Sequence, residues 1–85
     1  MAELVVRLAD QGELPKFDHQ FGNFGEDVFR WLRANGWGEV DIDEVDRGGG
    51  RFAVTAIAAK NVRRVIKWLK EEAVRQHLPV VVERR

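Results

Sequence analysis

One six-residue pattern occurs twice in this chain. Val28-Phe29-Arg30-Trp31-Leu32-Arg33 is matched by Val65-Ile66-Lys67-Trp68-Leu69-Lys70, at a spacing of 37 (Val28 to Val65). Both copies run valine, apolar, base, tryptophan, leucine, base. The apolar positions recur at intervals of three and four, so each copy reads as the buried stripe of an amphipathic helix. With 85 residues there is room for a single core. The two helices must share it, one from each half, and residues 1–85 read as one domain.

The segments around the helices read as strands. Glu3 to Ala9 supplies Leu4, Val5, Val6 and Leu8. A long connection, Asp10 to Asn23, carries the breakers Gly12, Pro15 and Gly22. Asn23 and Glu26 have the spacing of a capping box, and the first helix is expected from there to Asn35, with Gly36 as its left-handed stop. Glu39 to Asp46 alternates as Val40, Asp41, Ile42, Asp43, the period of a half-buried strand. Arg47 to Gly50 is a glycine turn into a third strand, Arg51 to Ala58. The second helix is expected from Lys60 or Asn61 to His77. Pro79 ends that region and Val80 to Glu83 forms the last strand.

The order β-α-β-β-α-β, with equivalent halves and right-handed crossovers, implies an α+β fold: a ferredoxin-like sandwich of four antiparallel strands with two helices on one face. Phe24, Val28, Leu32, Val62, Val65, Ile66, Leu69 and Ala73 should pack on Leu4, Val6, Leu8, Val40, Ile42, Phe52, Val54, Val80 and Val82. Phe29 and Ile66 fall on one flank of the helical stripes, Trp31 and Trp68 on the other.

The residue inventory removes most chemistries. There is no cysteine, serine or tyrosine, and Thr55 is the only threonine. Disulfides, thiol catalysis and a hydroxyl triad are thereby excluded. Asp41, Asp43 and Asp46 lack the glycine and final glutamate of a calcium loop, so no metal site is expected. Asp41, Asp43 and Glu39 read instead as charges on a sheet edge. Gly48-Gly49-Gly50 joins two strands rather than a strand to a helix, so it is no phosphate cradle, and no cofactor is expected. Met1-Ala2-Glu3 has no basic start leading into a long apolar run, and stretches such as Val80 to Val82 are far too short to span a bilayer. A soluble, cytoplasmic protein that does not engage membranes is expected.

Three functional readings remain. The first is a non-enzymatic protein-interaction or regulatory module, self-associating or binding a partner through the open sheet face. That face is expected to carry Val5, Arg7, Ala53, Thr55, Ile57 and Val81, with Asp43 and Glu83 beside them, and to be joined by Phe17 and Phe21 of the long loop. The second is nucleic-acid or polyanion binding through Lys60, Arg63, Arg64 and Lys67, which recur at helical spacing opposite the core stripe. With 14 basic and 14 acidic residues the net charge is zero, and the sheet strands lack the paired aromatics that stack RNA bases, so this reading is not favoured. The third is a small ligand binder or enzyme whose pocket forms under the Phe-rich loop, with His19 as acid/base. His77 reads as a cation at a helix C-terminus.

Overall fold

The computed structural model describes residues 1–85. Its elements are β1 (Ala2–Leu8), α1 (Leu14–Asn35), β2 (Glu39–Val40), α2 (Ile42–Arg47), β3 (Arg51–Ile57), α3 (Val62–Arg75) and β4 (Val80–Arg84), with short 3-10 turns before α1 and α3. The strands form one four-stranded antiparallel sheet in the order β2-β3-β1-β4. No helix is long and apolar enough to cross a membrane.

The core is one cluster joining the helical stripes to one side of the sheet. Phe24, Val28 and Leu32 of α1 and Val62, Val65, Leu69 and Ala73 of α3 meet Leu4, Val6, Leu8, Phe52 and Val54. Each fully buried aliphatic or aromatic side chain there contributes about 1.5–3 kcal/mol relative to exposure. Trp31 and Trp68, the matched tryptophans of the repeat, stack with ring planes 2° apart and centroids 4.0 Å apart. Trp37 meets Trp31 edge-on at 5.1 Å, and Arg64 lies over the Trp37 ring at 4.6 Å.

Three sequence expectations are corrected. The first concerns the loop over 10–23, most of which is helix. Pro15 stands in the first turn of α1, where its missing N–H costs nothing, and Asp10 caps the preceding 3-10 turn by accepting from the Gly12 N–H at 2.8 Å. Phe17, Phe21 and Phe24 fall at helical spacing on the inward side. Phe21 is 4% exposed and packs on Phe24 and Phe52. Gly22 is tolerated inside the helix, with nothing within 4 Å of a Cβ built there.

The second concerns the strand over 39–46, which stops at Val40. Asp41 then caps α2, accepting from the Glu44 N–H at 3.1 Å, and Gly48 ends it with φ +78. Asp41 and Asp43 thus belong to a helix start, where the dipole favours acid, and not to a sheet edge. The first turn of α2 takes a strand's place beside β3. The Asp41 N–H donates to the Ala53 carbonyl at 3.4 Å, and the Ala53 N–H donates to the Glu44 carboxylate at 2.7 Å. The sandwich therefore carries three helices.

The third concerns Ile57, which lies in the core with no exposed surface. Leu4 pairs with Val54 and Ala2 with Ile57, so β3 spends three residues where β1 spends two. The extra residue makes a β-bulge, and Ala56 takes the left-handed conformation with φ +57. The inward–outward alternation is reset there, which turns Ile57 back towards the helices.

Candidate functional site

The sheet side away from the helices carries the residues that strand alternation leaves over. Val5 lies opposite Ala53 and Glu83, and Arg7 opposite Arg51 and Val81. Val5 is only 6% exposed, although it stands outside the core cluster. Around it a concavity of about 440 Å³ is lined by Arg7, Arg51, Arg84, Arg85, Glu83 and Gln11. Long charged side chains shelter an apolar residue with their stems while keeping the charge in water.

The charges on this face are unequal in their engagement. Arg7 donates from Nε to Glu83 at 2.6 Å, and its guanidinium also reaches the Leu8 carbonyl at 3.2 Å. Arg85 stands 3.9 Å from Glu3. Arg51 and Arg84 form no ion pair. Arg7, Arg51 and Arg85 thus project to this face; Arg7 is held by Glu83, Arg85 lies near Glu3, and Arg51 is free, while Arg84, opposite the buried Leu4, projects to the helix side. Like charges directly across a strand pair, as at Arg7 and Arg51, repel; an anion between them would relieve that. Gln11 donates to the carbonyls of Leu8 and Gly50, at 3.2 and 3.3 Å, and so fixes the rim of the concavity.

The residues expected at a site are distributed as follows. Val5, Arg7 and Thr55 are on the open face, with Arg7 and Thr55 part-exposed. Ile57, Phe21 and the part-buried Phe17 belong to or pack on the core, so the aromatic run is no contact surface of its own. His19 is exposed on α1, and with no loop above it the pocket imagined there does not form. His77 is exposed beyond the end of α3 with φ +56. Lys60, in the 3-10 turn before α3, and Arg63, Arg64 and Lys67 on α3 are all exposed, but Arg64 is spread on Trp37 and Lys67 lies 3.9 Å from Glu71.

Sequence reading missed Arg51 and Arg85 as members of the face. The signal was present: period-two spacing puts Glu83 and Arg85 on the side of Arg7, and Arg51 lies two residues from Ala53. No family model, curated protein or solved structure matches the chain.

Proposed function

We propose that this chain is a non-catalytic interaction module whose open sheet face takes an acidic segment of a partner protein. The observation that carries the reading is the arginine-lined concavity around Val5, where Arg51 is free of ion pairs beside Arg7 and Arg85. The guanidinium fork matches carboxylates with two parallel hydrogen bonds, which gives an acidic peptide both charge and geometry to bind. Nucleic acid fits this face less well, because no aromatic side chain lines it for base stacking. A second copy fits less well too. The exposed large apolar side chains are Met1 and Val74, at the first residue and on α3, so the sheet offers little apolar area for a stable dimer.

The architecture supports the same view. The strand order β2-β3-β1-β4, with helical crossovers between β1 and β2 and between β3 and β4, is what we infer to be a ferredoxin-like plan with α2 inserted. In such a plan one sheet face is left for partners.

The test is a titration with a glutamate-rich peptide followed by amide chemical shifts. Shifts centred on Arg7, Arg51 and Arg85, weakening as salt rises, are expected. Reversing Arg51 and Arg85 to glutamate should weaken binding about tenfold or more. Shifts centred on α3, equal binding by the doubly reversed variant, or preference for a single-stranded oligonucleotide would each overturn the assignment.

A further inference from the structure

The two edges of the sheet are unlike. At one, β2 has only two residues, and the first turn of α2 continues its pairing with β3. At the other, β4 runs from Val80 to Arg84 with no strand beyond it. We propose that this free edge accepts an extended acidic segment of a partner protein as a fifth, antiparallel strand.

The ladder with β1 shows which backbone groups are open. The Ala9 N–H donates to the Pro79 carbonyl at 2.8 Å, and the Arg85 N–H to the Glu3 carbonyl at 3.0 Å. With Leu8 opposite Val80 and Leu4 opposite Arg84, the odd-numbered residues of β4 turn their backbone groups to β1. The N–H and C=O groups of Val80, Val82 and Arg84 therefore point away from the sheet, where no strand meets them. Natural edges are blunted by charge, proline or a bulge. Here Pro79 only precedes the strand, and half-buried Val80, Val81 and Val82, all strong strand formers, occupy it.

Charge selects the occupant. α1 lies on the β2 side of the sheet and α3 on the β4 side. Trp68 turns to α1, where it stacks on Trp31. Ile66, Lys70 and Val74, spaced by four on α3, share the other flank, above the free edge, with Arg63 beside them. Val74 is 75% exposed there. Val80, Val82 and Arg84 face this same side, because they stand opposite the buried Leu8, Val6 and Leu4. Arg63, Lys70 and Arg84 form no ion pair; Lys67 nearby is held 3.9 Å from Glu71. An incoming strand thus meets apolar surface and unpaired cations on its helix-facing side, and Val81 and Glu83 on the other. Glutamate at the helix-facing positions, alternating with a neutral strand former, suits both sides. A second copy suits them poorly, since pairing two β4 edges brings the cations of two α3 flanks together.

The probe is a short peptide of alternating threonine and glutamate, titrated into the full chain. It should shift the Val80, Val82 and Arg84 amides and protect them from hydrogen exchange, with a dissociation constant on the order of 0.1 mM. Residues directly opposite in an antiparallel pair share a face and exchange both bonds. N-methylation of the glutamate nitrogens should therefore abolish binding, whereas N-methylation of the threonine nitrogens should leave it. Lysine in place of the glutamates, or Arg63→Glu with Lys70→Glu in the protein, should weaken binding about tenfold or more. Thermal melts report folding of that variant, and the N-methyl series needs only the unaltered chain. Equal binding of the two N-methylated peptides, or no protection at Val80, Val82 and Arg84, would overturn the proposal. So would protection that grows with protein concentration without peptide, which would assign the edge to a second copy. The open face is read at Arg51, so the two sites fail separately.

Discussion

Trp31 and Trp68 occupy the same position of the repeated pattern and lie face to face, 4.0 Å apart. Each is the third residue after a fully buried valine, Val28 or Val65. That offset sets the indoles on the flank where α1 meets α3, so the halves of the chain touch through matched residues. A stacked pair at this distance should give an exciton couplet in far-ultraviolet circular dichroism, weakened in Trp68→Leu and weakened further in Trp31→Leu, which also removes the edge contact with Trp37. A double-mutant cycle should return a coupling of about 0.5–1.5 kcal/mol. A spectrum equal to the sum of isolated tryptophans would contradict the stack.

Two glycines of α1 should respond oppositely to alanine. A Cβ at Gly25 would sit 2.7 and 2.9 Å from the Val45 methyls of α2. Overpacking there should cost about 1–3 kcal/mol despite better helix propensity. At Gly22 the space is open, and alanine should stabilise by about 0.8–1 kcal/mol. Urea unfolding midpoints measure both; a shared sign would mean that α2 does not approach α1 as described.

Glu44 substitutes for a neighbouring strand at Ala53. Glu44→Ala removes the acceptor at 2.7 Å and should cost about 1–2 kcal/mol, whereas Glu44→Gln keeps an oxygen and should cost less. Hydrogen exchange at the Ala53 amide should accelerate markedly in the alanine variant. Unchanged protection would show that the carboxylate is dispensable.

The end of α3 is a Schellman turn: the His77 N–H donates to Val74 at 3.1 Å and the Leu78 N–H to Ala73 at 2.9 Å. His77 occupies the position usually held by glycine, with φ +56. His77→Gly should therefore raise stability by about 0.5–1 kcal/mol, read from chemical denaturation. A loss would indicate contacts made by the imidazole.

Much of the fold was legible in the residues. The stripes through Val28 and Val65 and the inward-facing residues of β1 met as alternation and helical spacing require. Gly22 and Pro15 misled because composition marks breakers without saying where in a helix they stand. Phe17, Phe21 and Phe24, spaced by four and three, carried the truer signal. Val40 to Asp43 alternates like a strand, yet Asp41 with Glu44 three residues on is also a helix start, and Ile42 with Val45 favours the helix. The open face was half legible. Alternation identified Arg7 and carried the signal for Arg51 and Arg85, but which of them stand across from one another follows only from the strand pairing. The concavity lined by Phe29 and Val40 could not be read locally, because it depends on how the end of α1 meets a two-residue strand.

Strand pairing counts residues by twos, and β3 counts one too many. Without Ala56, Thr55 would face outward and Ile57 inward in plain succession, which is the order the core already uses. Ala56 is thus a spare residue inside a strand, and one-residue deletion, normally tolerated only in surface loops, is expected to leave the hydrophobic interior intact at this position. Such a shortened chain would straighten β3 and alter the recess beside Val40, separating what the bulge does for folding from what it does for the shape of that recess.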